Sequence, residues 1–327
     1  MNKKTLGLLT ALCLGTAITG CGKTEYSIGL GYTTSFTATQ ASVNVAVAAF
    51  DNAGKIVNAR LDVVQIPLKG AAIDTSKNAD LLSKVELGTD YAMLSKSGIK
   101  KEVYEQIEAF AAWTVGKTVD EVVAGTPGAG HGVAVNDELA TSVTIGVDDF
   151  ENALKDAFNN KVAATKGTAA KAGVGIYVEM YGENELTTYI AGATTTKGGK
   201  VEAALVDNVV FPLAADEEGN ATLDTTSKYV AEDGKTIISK KKLGEDYKMD
   251  DFMPACTEDW YKQAAHIESY LVGKTAKKID AMEYTEGKNA DLSELGATII
   301  VESIMKSVSE AVNYATKDVI TAKPVAR

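Results

Sequence analysis

Beyond an apolar opening stretch, the hydrophobic positions fall into two rhythms, each of which occurs twice. Val43, Val45 and Val47 alternate with other residues, and Ile56, Leu61 and Val63 follow the Asp51-Asn52-Ala53-Gly54 turn, which is β-hairpin chemistry. Further along the period lengthens. Val103, Ile107, Phe110 and Thr114 share one face of a predicted helix, as do Trp260, Ala264, Ile267 and Leu271, with Gly116 and Gly273 placed to end the two helices. A last helix in each half carries Phe150, Leu154, Ala157 and Phe158, matched by Ile304, Val308, Ala311 and Val312. Strands first and helices later predict an α+β fold, in which an antiparallel sheet or hairpin is covered by packed helices in each half.

The wording repeats along with the rhythm. Gly54-Lys55-Ile56 precedes Pro67 at an offset of thirteen residues from the glycine, and Gly199-Lys200-Val201 precedes Pro212 at the same offset. Leu87-Gly88-Thr89-Asp90-Tyr91-Ala92-Met93 returns as Leu243-Gly244-Glu245-Asp246-Tyr247-Lys248-Met249. Tyr104, Gln106 and Val115-Gly116-Lys117-Thr118 return as Tyr261, Gln263 and Val272-Gly273-Lys274-Thr275. Order and spacing survive together, apart from an insertion of about eleven residues around 216–226. The expected organisation is a leader at 1–20, a short segment 21–23, one domain at 24–162, a small-residue linker at 163–171, a second domain at 172–318 and a tail at 319–327.

The leader has a charged start, Met1-Asn2-Lys3-Lys4, and an apolar run from Leu6 to Ala17 too short to span a bilayer comfortably. Ile18-Thr19-Gly20-Cys21 follows, and this tetrad resembles a bacterial lipobox. The resemblance implies cleavage before Cys21, lipidation of that cysteine and tethering to the outer face of the cell membrane, stable when two or three acyl chains are buried. An ordinary secretory signal ending in a cysteine is the competing reading. The chain has 33 basic and 44 acidic residues, a formal charge of −11 that becomes −13 once Lys3 and Lys4 leave with the leader. Nucleic acid is thereby disfavoured as a partner. With 45% hydrophobic and 24% charged residues and only 5 prolines, the remainder reads as globular rather than wall-spanning. Of the 3 cysteines, Cys256 has Cys21 as its sole possible mature partner, and His131 and His266 lack metal-ligand spacing. Neither a catalytic constellation nor a metal site is expected.

Before the last helix of each half the chain reads Asp137-Glu138-Leu139-Ala140-Thr141-Ser142-Val143-Thr144 and Asp291-Leu292-Ser293-Glu294-Leu295-Gly296-Ala297-Thr298, with an aspartate seven residues ahead of a threonine in both. Gly296-Ala297-Thr298 ahead of an amphipathic helix resembles the FMN-binding domain family of flavinylated respiratory subunits and flavin-carrying surface lipoproteins. With a lipobox and two copies, the whole chain is similar to the two-flavin lipoproteins of Gram-positive extracellular electron transfer. The resemblance implies covalent FMN, attached by a FAD:protein FMN transferase through its phosphate to the hydroxyls of Thr144 and Thr298. Asp137, Ser142, Asp291, Gly296 and Ala297 would complete the two sites. It also implies a carrier more than a stand-alone enzyme, reduced from a membrane NADH dehydrogenase through the quinone pool and oxidised by extracellular acceptors such as ferric iron.

The local sequence departs from the family's wording. The aspartates stand one residue further away than usual, Leu295 replaces a Ser or Thr, and Ser142-Val143 replaces Gly-Ala. A helix N-terminus just beyond each threonine is expected to receive the phosphate charge. Gly192-Ala193-Thr194 has the letters without the context, in a region expected to align with the first hairpin turn. Asp90-Tyr91 and Asp246-Tyr247 line a pocket or fix a turn, and Tyr104, Trp113, Trp260, Tyr261 and Tyr270 are core residues or ring-stacking partners. The competing class is a lipoprotein that binds a non-flavin ligand or the cell wall, with a leader that also yields a signalling peptide.

Overall fold

The computed structural model describes residues 24–126, 136–162, 165–251, 253, 256 and 258–316. The leader, Cys21, His131 and the 319–327 tail lie outside the described residues. The chain is mixed α/β with two four-stranded antiparallel sheets. The first contains β1 (Thr24–Thr37), β2 (Gln40–Phe50), β3 (Ile56–Pro67) and β4 (Thr165–Gly167), in the order β3-β2-β1-β4. The second contains β5 (Lys171–Tyr181), β6 (Glu185–Thr195), β7 (Val201–Ala215) and β8 (Ala221–Leu223), in the order β5-β6-β7-β8.

Helices follow each sheet. After β3 come α1 (Lys84–Leu87), α2 (Val103–Thr114), α3 (Val119–Ala124) and α4 (Asp148–Asn159). After β8 come α5 (Lys240–Leu243), α6 (Trp260–Leu271), α7 (Ala276–Asp280), α8 (Ala290–Glu294) and α9 (Glu302–Thr316). The turn at Asp51 forms as expected. Asp51 Oδ1 accepts the N–H groups of Ala53 and Lys55, and Gly54 takes a φ of 76° that a side chain would disfavour.

Side-chain alternation fixes the layers. Val43, Val45 and Val47 of β2 point into a core shared with Ile176 of β5, Ile190 of β6 and Phe211 of β7, so the two sheets pack face to face. Ala46, Ala48 and Phe50 point the other way, under α2 and α4. Tyr189, Ala191 and Ala193 likewise point outward under α6 and α9. The order of layers is helices, sheet, sheet, helices. Polar bonds cross the shared interior: Tyr26 and Thr194 hydroxyls lie 2.7 Å apart, and Tyr32 Oη donates to the Ile237 carbonyl while accepting from Ser239 N–H.

Several expectations change. The stretch 163–171 is not a bare linker, because Thr165–Gly167 pairs with Thr24–Tyr26 and Lys171 opens β5. Glu202 accepts the N–H groups of Thr168 and Ala169, pinning the crossing from one sheet to the other. β1 and β5, which the hydrophobic pattern does not pick out, each carry two glycines at outward positions under a helix: Gly29 and Gly31, and Gly173 and Gly175. A Cβ at Gly29 would lie 1.9 Å from the Ala157 carbonyl of α4, and one at Gly175 1.9 Å from the Ser307 carbonyl of α9. Gly192-Ala193-Thr194 lies inside β6, opposite Leu205 to Ala203, rather than at the turn. The inserted residues near 216–226 build β8 and its flanking turns.

Candidate threonine sites

Each threonine of interest sits in an extended stretch whose neighbours are driven inward. Val143, Ile145 and Val147 are buried around Thr144, and Ala297, Ile299 and Val301 around Thr298, leaving both threonines half-buried at the surface of the helical layer. A glutamine oxygen holds each of them, with one further bond in the second half, where Gln263 Oε1 also accepts the Ile299 N–H at 3.2 Å. Gln106 Oε1, from α2, accepts the Thr144 N–H at 2.8 Å and its hydroxyl at 3.3 Å. Gln263 Oε1, from α6, accepts the Thr298 N–H at 2.8 Å and its hydroxyl at 3.3 Å.

The other end of each amide sets its orientation. Gln106 Nε2 donates to the Lys101 carbonyl and Ser97 Oγ, and Gln263 Nε2 donates to the Glu258 carbonyl and Met249 Sδ. These glutamines are 0% and 1% exposed, buried on helices whose sequence alone would place a glutamine in water. Their recurrence at matched repeat positions is visible in the sequence; their inward direction is not.

The remaining site residues are distributed less evenly. Gly296 has a φ of 99°, and a Cβ there would come within 3.1 Å of His266 Nε2, whose partner is Glu258 at 2.7 Å. Ala297 is buried and donates its N–H to the Leu292 carbonyl. Cys256 is a free thiol whose Sγ lies 3.7 Å from Thr298 Oγ1. Ser142 donates to the Leu139 carbonyl. Asp137 is exposed, and its neighbour Glu138 takes the bond from Trp113 Nε1 at 2.5 Å. In the second half Asp291 itself takes the corresponding bond, from Tyr270 Oη at 2.8 Å. The equal aspartate spacing therefore does not produce equal contacts, and no bond joins either aspartate to its threonine.

Carboxylates stand at the start of α4 and a backbone carbonyl at the start of α9. The first turn of α4 holds Asp148, Asp149 and Glu151, and the Val301 and Glu302 N–H groups at the start of α9 donate to the Gly287 carbonyl.

Ile145 and Gly146, next to Thr144 in the chain, line a cavity of about 220 Å³ with Tyr91, Met93, Lys84 and Phe150, among others; Thr144 itself does not line it. Its counterpart differs in the second half, where Tyr247 and Met249 are buried and Tyr247 packs against Tyr229, which follows the inserted region. Tyr91 thus lines a pocket, whereas Tyr247 is core. Trp260 is also core, and Trp113 stacks on Phe110 with Lys117 Nζ 4.1 Å from its ring.

A second matched pair went unmarked by sequence reasoning. Asp62 accepts from Ser83 Oγ and the Val63 and Val85 N–H groups, and Asp207 accepts from Ser239 Oγ and the Asn208 and Lys241 N–H groups. Burial pushes the Asp62 carboxyl up to about 7 and raises Asp207 as well, while the bonds from serine and backbone oppose the shift. Both tie a strand to the N-terminus of a short helix, so their role is structural. A carboxylate after an apolar residue inside an otherwise apolar strand, five residues before Pro67 and Pro212 alike, is the signal that marks them. Among the described residues no group of His, Cys, Asp and Glu could hold a metal ion. No family model, curated protein or solved structure matches the chain.

Proposed function

We propose that the chain consists of two homologous FMN-binding domains in tandem, tethered by lipidated Cys21, and carries FMN esterified to Thr144 and Thr298. The observation that carries this reading is the duplicated arrangement in which a buried glutamine holds a threonine whose hydroxyl remains at the surface. A hydroxyl with no further function has little reason to be presented identically twice on unlike local sequences.

The surrounding residues fit such a group. Gly296 and Ala297 ahead of Thr298 are small, and the cavity that opens at Ile145 and Gly146, just after Thr144, includes Tyr91, Met93 and Phe150 among polar residues such as Asn44 and Gln65. That cavity is smaller than the roughly 300–1,000 Å³ of small-molecule sites, so most of an attached FMN would lie on the surface rather than inside it. Bound FMN would supply the electron-accepting and electron-donating chemistry; the chain supplies attachment, position and solvent access. Its place is between the membrane NADH dehydrogenase and quinone pool on one side and extracellular acceptors such as ferric iron on the other. Among the described residues no helix is long and apolar enough to cross a membrane, so the proposed attachment rests on the lipobox.

The test is to produce the chain with and without an active FMN transferase and record intact mass and in-gel flavin fluorescence. Two FMN adducts are expected, one lost in Thr144→Ala, the other in Thr298→Ala, and both in the double variant. A parent that stays unmodified beside an active transferase removes the reading. It would favour the ligand-binding class, for which the observation is a larger groove of about 770 Å³ between β1 and the inserted region, lined by Phe36, Leu223, Ile237 and Lys235.

A further inference from the structure

Gln106 and Gln263 reach the two threonines from neighbouring helices and are tied at both ends. Their Nε2 groups are committed to backbone carbonyls and to Ser97 or Met249, so the Oε1 end can only face the threonine. Oε1 has no proton and acts purely as an acceptor. The hydroxyl hydrogens of Thr144 and Thr298, each 3.3 Å from it by heavy atoms, therefore point inward along that contact. The lone pairs of Oγ1 are left on the outward side. In the second half Cys256 Sγ stands 3.7 Å away on that oxygen, and a thiol is a weak donor that an incoming group displaces at little cost.

We propose that Gln106 and Gln263 are positioning residues for modification of Thr144 and Thr298, each holding its hydroxyl with the proton turned in and the nucleophilic lone pairs turned out. The proposal rests on the flavin reading above and adds the residue that presents the acceptor oxygen. In the transfer, threonine Oγ1 forms a bond to the flavin-side phosphorus of FAD. The bridging P–O bond breaks and AMP leaves with the bonding pair; the hydroxyl proton, held in its hydrogen bond to Oε1 during the approach, is given up to a base of the transferase once the O–P bond has formed. The glutamine takes no proton; it fixes the direction of attack, the kind of alignment whose loss costs rate rather than affinity.

Each half can be read separately in the full-length chain. With Thr144→Ala as the parent, only Thr298 remains, and FMN uptake from FAD and purified transferase is timed by intact mass. Gln263→Met removes the acceptor while keeping an unbranched side chain, and is expected to lower kcat about tenfold or more, with KM for the chain changed less than about threefold.

Gln263→Glu supplies a pH profile that packing alone would not. Its protonated form donates to the Glu258 carbonyl and accepts from Thr298 as glutamine does, whereas its ionised form loses that donor. Its rate relative to the parent should be near one at low pH and fall about tenfold as the carboxyl ionises. A flat ratio, or a Gln263→Met chain modified as fast as its parent, overturns the positioning role and leaves the flavin reading standing. A Thr144→Ala parent that takes up no FMN overturns both. Should Gln263→Met fail to melt cooperatively, the pH profile of Gln263→Glu decides alone.

Discussion

Asp62 and Asp207 show how much a single buried group can tilt this molecule. Asp62 titrates near 3.8 when unfolded and about 7 when folded, because burial favours its neutral form. Between those values the folded chain binds the extra proton, so the Asp62 contribution to stability is greatest below the lower value. It declines as pH rises and levels off above about 7. Asp62→Asn removes that slope. Urea unfolding from about pH 4 to pH 7 should show the variant gaining on the parent by an amount on the order of a few kcal/mol. Parallel curves for the two proteins would mean that the Ser83 and backbone bonds cancel the desolvation. At this scale the sequence was readable in part. Thr144 and Thr298 can be singled out from their context, and Gln106 and Gln263 appear as matched letters. Only the packing of α2 and α6 reveals that these amides point inward, since one polar residue on an amphipathic helix is normally assigned to water.

Among elements, the close seating of α4 on β1 and of α9 on β5 depends on paired glycines. Gly29 and Gly31 let the backbone of α4 touch β1, and Gly173 and Gly175 do the same for α9. Alanine at any of these would drive Cβ into helix backbone, which cannot yield as a flexible side chain would. Gly29→Ala and Gly175→Ala are each expected to cost about 1–3 kcal/mol or more in urea unfolding, against little change for Gly98→Ala, whose Cβ meets nothing within 4 Å. Equal midpoints for all three would show that the helices ride further from the sheets. The same glycines explain a gap in what the sequence discloses. The helical periods of α2, α4, α6 and α9 are strong enough to read directly, while the middle of the outward face of β1 and of β5 is glycine, which breaks the alternation there.

Over the whole molecule, the two halves share one interior. Val43, Val45 and Val47 meet Ile176, Ile190 and Phe211 across the sheets, and Arg60 Nη2 from β3 donates to the Tyr314 carbonyl of α9. A duplicated sequence suggests beads on a string; here either bead alone would expose a sheet face. Residues 24–162 and 165–316 made separately should therefore self-associate and bind a hydrophobic dye, and should combine one-to-one when mixed, as read by sedimentation. Two monomeric, dye-free fragments would contradict the shared core. The face-to-face packing was illegible beforehand because β2 is buried on both sides, so valines and alanines alike read simply as apolar.

Layer order also decides how the two hydroxyls relate. Thr144 belongs to the helical layer outside one sheet and Thr298 to that outside the other, with successive layers about 10 Å apart, which separates them by something on the order of 20–30 Å. Whatever they bear, they are back-to-back ports. A bulky visitor at one leaves its twin unobstructed, and a single molecule can be gripped on opposite flanks at the same moment.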